Sequence, residues 1–506
     1  VTTGAFALQT GYYVGTGATQ AISGLGFQPQ VVIVKHETVA YHARLKLSSM
    51  PANTTMDFIT TASDTASLIA LNADGFTLNT ADVTVNLAGG RYSWVALGGS
   101  SCTSSGTLCV GSYTGDGQTS QAVTSVGFQP AFVLTKKAGG NAIWRSASMA
   151  ADVGQYFGGV DEVTNGTLFK TLDATGFTVG NSADVNTLSA TYYFLALKAV
   201  PGALQVGTYT GTGGDGRNLT GVGFQPDVVF TKRTTGVTAA YVSLTDLYGD
   251  FAVPFTAAGG AVDVLQALSA DGFQVGTLAG ANSSGGTYHY VALGGAADPA
   301  PSGTFQMAQG SYAGTSSVKS VTGLGFAPDL VLIKAAGGQW GHFRTRLMGG
   351  DSTAYFATAS ANIAGAITAL DADGFTLGTN TGVNGSGNTY YWQAFGNAFD
   401  PLDHTGAADF AIGAYYSNEI DTREITRVGF QPNLVAVKSS GLDYGAFRTS
   451  AMAGDTPAYF VNAADVADAI QALSLDGFQV GTHNNVSAGV GVLFHWFAFK
   501  SGAGFA

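Results

Sequence analysis

The chain reads as all-β: five tandem antiparallel β-sandwich domains, jelly-roll-like, in an elongated array. Three observations predict this. A Gly-Phe-x-Pro step stands at Gly26, Gly127, Gly223, Gly325 and Gly429, at intervals of 101, 96, 102 and 104 residues, and self-similarity at a fixed period marks a repeated structural unit. Between these steps run short segments rich in Val, Ile, Thr and aromatics, bounded by Gly, Asn, Asp and Pro, which is how strands read. No apolar run is long enough to span a bilayer as a helix, and no heptad pattern occurs. The units fall at residues 1–101, 102–199, 200–298, 299–399 and 400–506.

Each unit opens on a Gly-x-Tyr stretch ending at Tyr13, Tyr113, Tyr209, Tyr312 or Tyr415. The Gly-Phe-x-Pro step follows, with Phe27, Phe128, Phe224, Phe326 and Phe430 as its aromatic. Gly permits a bend, Phe plugs the core, and Pro begins a strand without needing a ladder hydrogen bond. Burial of one such Phe stabilises by about 2–3 kcal/mol. An apolar run then ends in a lysine: Lys35, Lys136, Lys232, Lys334 and Lys438. Each lysine is expected to close a strand end, lie along apolar surface and meet a carboxylate or loop carbonyl.

Alanine-bearing stretches (residues 64–70, 261–267, 363–369 and 464–472) suggest a helical turn. A second Gly-Phe pair (Phe76, Phe177, Phe273, Phe375, Phe478) supplies hairpin chemistry through Asp-Gly and its relatives, and an aromatic strand ends the unit, as in Tyr92-Ser93-Trp94. Seven or eight strands in a hundred residues make a two-sheet sandwich. Each unit is large enough to bury its own core and fold by itself. The junctions, short and in part Pro-bearing, read as semi-rigid spacers.

Only 11% of residues are charged, with 33 acidic against 21 basic groups and a net charge of −12. Nucleic-acid binding is disfavoured, because phosphate contacts need clustered Lys and Arg. Cys102 and Cys109, at the entry to the second unit, are expected to form a disulfide, which implies an oxidising, extracytoplasmic location. The start at Val1, with no initiator Met, suggests a processed exported protein or a piece of a longer one.

The pattern offers no catalytic residues, no cofactor site and no metal site. The seven histidines occupy unrelated repeat positions apart from His289 and His495, and no metalloprotease, nucleophile-elbow, phosphate-loop or dinucleotide motif has its required context. Asn53, Asp152, Asp250, Asp351 and Asp455 follow small-residue turns and read as turn chemistry. Candidate ligand contacts are aromatic-Arg pairs, because a ring can stack on a sugar while a guanidinium bonds its hydroxyls: Trp144-Arg145, Phe343-Arg344 and Phe447-Arg448. Tyr41 to Arg44 is a looser counterpart, and Tyr241, Trp340 and Trp392 are further candidate rings. Six N-glycosylation triplets begin at Asn53, Asn165, Asn218, Asn282, Asn384 and Asn485.

The string of Gly-x-Tyr, Gly-Phe-Gln-Pro-Asp/Asn-apolar-Val-x-x-Lys, Gly-Phe-x-Val-Gly and Tyr-x-Tyr-x-Ala, clearest in Gly223 to Lys232 and Gly429 to Lys438, resembles a β-sandwich repeat of bacteriophage tail-fibre and other virion proteins and of some secreted prokaryotic surface proteins. Ala327 departs from the usual Gln. The resemblance implies a structural or receptor-contacting surface role and brings no catalytic residue. The functional expectation is a non-enzymatic extracellular structural protein, a subunit of a fibre, filament or appendage of a virion or prokaryotic cell. Its expected partners are copies of itself or other virion or surface structural proteins, with no nucleic acid and no membrane insertion. A multivalent glycan-binding adhesin or receptor-binding tail fibre, with cell-surface glycans as partners, is the first alternative. An accessory module array of a polysaccharide-degrading enzyme is the second.

Overall fold

The computed structural model describes residues 6–60, 67–79, 82–245, 247, 249–295, 304–356, 360–399, 407–426, 428–461 and 467–500. The chain forms two compact units, residues 1–297 with three sandwiches and residues 298–506 with two. The junction at residues 296–303 and most of that at 397–406 lie outside the described residues.

In the first sandwich the strands are β1 (Ala7–Val14), β2 (Gln20–Ser23), β3 (Pro29–His36), β4 (Arg44–Leu47), β5 (Met56–Asp57), β6 (Leu68–Asn72), β7 (Gly75–Leu78) and β8 (Arg91–Gly98), with a one-turn helix α1 (Val83–Asn86) before β8. One sheet has the order β1-β8-β3-β4-β5 and the other β2-β7-β6, and every pair in them is antiparallel. The nested pairs β1 with β8 and β2 with β7 are those of a jelly roll, whereas β4 and β6 return as hairpins on β3 and β7. The same two sheets recur in the other four sandwiches, the last adding a short parallel edge strand, Ala398–Phe399.

Each sandwich has its own core. In the first it gathers Tyr13, Val32, Val34, Phe76, Leu78, Val85, Tyr92, Trp94 and Ala96 from both sheets and the helix. The opening tyrosine stacks on the closing aromatic strand, Tyr13 on Tyr92 at 5.1 Å and Tyr209 on Tyr288 at 5.0 Å. Its hydroxyl donates into the one-turn helix, to the carbonyl of Val85 or Ala281. A buried asparagine completes the latch. Asn282 accepts from Thr212 N–H and donates to the carbonyls of Gly214 and Gly276, and Asn86, Asn186 and Asn384 do the equivalent work.

The two Gly-Phe motifs prove to be one joint. Asp74 accepts from Gly24 and Gly26, Asp271 from Gly221 and Gly223, and Asp373 from Gly323 and Gly325. Gly26, Gly127, Gly223, Gly325 and Gly429 all hold φ between 76° and 87°, where a side chain is strained. Gln28, Gln129, Gln225 and Gln431 reach the carbonyl of a leucine in the β6 strand, a bond that Ala327 cannot make. Phe128 and Phe430 are buried, while Phe27, Phe224 and Phe326 are only half-buried, so the plug is partial in three units.

Two expectations are corrected. The alanine-bearing stretches are not helical turns: their described residues lead into bulged strands such as Leu265–Ser269 and Ile367–Asp371, because pairing with the second Gly-Phe strand and burial of Leu265 and Ile367 outweigh local propensity. Residues 64–66 and 464–466 lie outside the described set. The one-turn helix instead follows the second Gly-Phe strand, at Val83–Asn86, Ala279–Asn282, Thr381–Asn384 and Asn484–Ser487.

The second correction concerns spacing along the chain. Within residues 1–297 the sandwiches are not strung as separate beads but close on one another. The outer faces of their five-stranded sheets meet around Phe58, Phe157 and Phe255, whose ring centroids lie 4.7–4.8 Å apart pairwise. A void of only about 60 Å³ remains among them, lined by residues of all three sandwiches such as Ile33, Leu134 and Phe230. A sheet apolar on both faces has one core of its own and needs a second surface to cover it.

Candidate functional site

The residues that recur with chemical potential are the five lysines, and four of them are buried. Lys35, Lys136, Lys232 and Lys438 are at most 3% exposed, whereas Lys334 is exposed. Each of the four ends its strand pointing at a neighbouring sandwich. Lys35 donates to the carbonyls of Thr256 (3.2 Å) and Ala258 (2.8 Å) in the third sandwich and to Tyr41 in its own. Lys136 bonds Ile59 of the first sandwich and its own Gly140, with Asp57 at 3.8 Å. Lys232 bonds Val160 of the second at 3.1 Å, and Lys438 bonds Ser360 of the fourth at 3.3 Å. An ammonium has three donors, and the loop carbonyls it meets have no ladder partner, so the pairing satisfies both sides of a buried contact. Burial lowers each of these four lysines from 10.5 to about 8.

The same direction of tie recurs in the backbone. The N–H of Ala43 bonds the carbonyl of Phe255, that of Ala142 bonds Phe58, that of Ala240 bonds Phe157, and that of Gly445 bonds Phe356. The second, third and fifth sandwiches therefore take hold of the Phe-bearing loop of the one before, and the first takes hold of the third. That closes a ring of three in residues 1–297. Further ties are the Glu162 to Thr234 and Gly260 to Glu37 backbone bonds and the His289–Glu162 pair at 2.6 Å. Glu37 itself is buried against Arg91 and Ser93, and burial raises its carboxyl above the usual range.

The aromatic-Arg pairs are not a sugar platform. Trp144, Arg145, Phe343, Arg344 and Arg448 are all buried, at most 6% exposed. The guanidiniums bond backbone carbonyls of their own sandwich, most of them in the turn that follows. Arg145 donates to the carbonyls of Val153 and Met149, Arg344 to Ser352, Met348 and Gly350, and Arg448 to Ile470, Met452 and Gly454. Strand register places Lys46, not Arg44, at this position in the first sandwich, where it bonds Pro51 and Thr54. Ser243 holds it in the third and bonds Phe251. Phe447, Tyr241 and Trp392 are half-buried, and Trp340 is 50% exposed.

Asn53 and Asp152 sit in left-handed turns with φ of 58° and 62°, and Asp250, Asp351 and Asp455 accept backbone N–H bonds across their loops. Among the described residues no group of three or more His, Cys, Asp or Glu could hold a metal ion. Cys102 and Cys109 are joined as a disulfide at the entry to the second sandwich. Of the six glycosylation triplets, Asn53, Asn165 and Asn218 are exposed, while Asn282, Asn384 and Asn485 are buried.

Sequence reasoning missed the loop phenylalanines Phe58, Phe157, Phe255, Phe356 and Phe460. A recurrent aromatic does stand there, but at 23, 21, 23, 22 and 22 residues after its lysine, and that slippage hides it from a fixed-offset reading.

A family model described as a domain of unknown function (DUF7483) matches residues 4–110 and 300–399. These stretches contain the first and fourth sandwiches. No curated protein matches the chain. Among the described residues no helix is long and apolar enough to cross a membrane.

Proposed function

We propose that the chain is a non-enzymatic structural protein of the extracellular space, a building element of a fibre or surface appendage on a virion or a prokaryotic cell. The observation that carries this reading is the use made of the recurring charged side chains. Four of the five lysines at the same strand end reach across to hold a neighbouring sandwich, and the arginines that looked like ligand contacts bond carbonyls of their own sandwich. Buried cationic side chains bonded to backbone carbonyls rigidify a scaffold. The disulfide is compatible with the location. Low charge and a surface rich in small polar residues favour lateral packing over mutual repulsion.

The adhesin reading retains a surface in the fourth sandwich. Trp340, Tyr391 and Trp392 lie around a groove of the fourth sandwich, but the aromatic-Arg pairs expected to repeat that platform along the chain are buried, so avidity from many weak sites loses its basis. Electron microscopy of the native material tests the structural reading. Filaments or appendages in which this chain is the repeating subunit are expected. Dispersed single chains at high concentration contradict it.

A further inference from the structure

Residues 298–506 contain two sandwiches joined by the same ties that join three in residues 1–297, and one place is left over. Lys438 and Gly445 of the fifth sandwich hold the Phe356 loop of the fourth, as Lys136 and Ala142 of the second hold the Phe58 loop of the first. The fourth sandwich has the same grip with nothing in it. Among the described residues the exposed Lys334 bonds only Ala335 and Gly337 of its own loop, and the N–H of Gly341 makes no bond like those of Ala43, Ala142, Ala240 and Gly445. The fifth sandwich has the complementary lack, since among the described residues no lysine or backbone N–H takes the carbonyl of Phe460. Phe460 is 37% exposed, whereas Phe58, Phe157 and Phe255 are 1–4% exposed. Two contiguous open grooves, of about 910 and 570 Å³, occupy this side and share Leu332, Phe356, Gln393 and Phe460.

We propose that this face is the docking site of a sixth sandwich of the same repeat, from outside residues 1–506, which completes a ring with the fourth and fifth as the third does with the first and second. What covers the face is stated by the chain itself: three times in residues 1–297, the equivalent surface is covered by another copy of this fold. The occupant must bring a donor for the carbonyl of Phe460, and an aromatic-bearing loop whose carbonyls receive Lys334 and Gly341. A second copy of the chain does not fit the place. Its first three sandwiches are already closed on each other, and its last two arrive joined, as a pair where a single sandwich is required. This docking does not depend on the chain belonging to a fibre.

The test extends the full chain by inserting a second copy of residues 199–295 after Lys500, which keeps the natural connection between the second and third sandwiches. Labelling of Lys334 by an amine-reactive ester, read by mass spectrometry, is expected to fall at least tenfold relative to the unextended chain. The same insertion with Phe255→Asp in the inserted copy alone should leave Lys334 reactive. A second insertion, of residues 102–197, guards against one copy that folds poorly. The proposal is overturned if both insertions resist proteolysis as folded sandwiches while Lys334 stays fully reactive. It is overturned equally if both remain unfolded, because docking should stabilise them. Protection of Lys334 in the unextended chain that grows with protein concentration would assign the face to a second copy and also overturn it.

Discussion

Residues 1–297 and residues 298–506 are built from the same sandwich, held by the same lysine and the same backbone tie, yet only the first set closes. In the closed set, Phe58, Phe157 and Phe255 form one aromatic centre and the three strand-end lysines are all buried. In the open set the pair Phe356 and Phe460 still touch, at 4.5 Å, but Lys334 stands in solvent. The difference teaches that the sandwich has two kinds of face. One is covered by its own second sheet and is complete in each copy; the other is completed only by neighbours.

The largest expected effect breaks the closed centre. Phe157→Ala should destabilise residues 1–297 by about 3–5 kcal/mol, as large-to-small changes at fully buried aromatics do, while Phe460→Ala should cost about 1–2 kcal/mol because its ring is already partly in water. Denaturant unfolding of the two variants reads the contrast, and equal losses would remove it. Next, Cys102→Ser with Cys109→Ser should lower the stability of the closed set by about 2–3 kcal/mol, the loop-closure value for so short a loop, and leave residues 298–506 unchanged. Limited proteolysis under reducing and oxidising conditions separates the two outcomes.

Lys136→Met should cost about 1–3 kcal/mol by leaving loop carbonyls buried and unpaired, whereas Lys334→Met should stay within about 0.5 kcal/mol, as an exposed substitution does. The pH dependence sharpens the same contrast. Lys35, Lys136 and Lys232 release their protons near 8 when folded and near 10.5 when unfolded. Between those values the unfolded chain binds more protons, so the stability of the closed set rises from pH 8 towards pH 10. Above pH 10 it should fall, because buried Tyr13 and Tyr113 hold their protons while unfolded tyrosines lose theirs. In residues 298–506 one buried strand-end lysine, Lys438, is lowered in this way, against three in the closed set, so the rise there should be smaller. Thermal melts across this range decide it, and a decline from pH 8 to pH 10 in the closed set would contradict the lysine account. The smallest effect is a gain. Ala327→Gln supplies the bond that Gln28, Gln129, Gln225 and Gln431 make, and should stabilise the fourth sandwich by about 0.5–1 kcal/mol.

Much of the sandwich was legible before any coordinates. The Gly-Phe-x-Pro period set the repeat, the Asp-Gly turns set a hairpin, and the strand-end lysines were read as meeting a carboxylate or a loop carbonyl. Which loop they meet was not legible, because Thr256 stands more than two hundred residues from Lys35 and carbonyls leave no signature in a side-chain pattern. The aromatic-Arg pairs misled for a related reason. Alternation along a strand tells which side chains share a face, but not that the outer face of this sheet is also covered, and both Trp144 and Arg145 end up inside. Of the latch asparagines, Asn282 and Asn384 were seen only as glycosylation triplets, since each happens to precede a Ser by two residues, and Asn86 and Asn186 were not singled out.

Residue-resolved hydrogen exchange of the full chain tests closure most directly. The amides of Ala43, Ala142 and Ala240, each bonded to a loop carbonyl of a different sandwich, are predicted to exchange slowly and together, with Gly445 likewise protected and Gly341 exchanging freely. Fast exchange at Ala43, the position where the first sandwich takes hold of the third, would mean that the ring does not close.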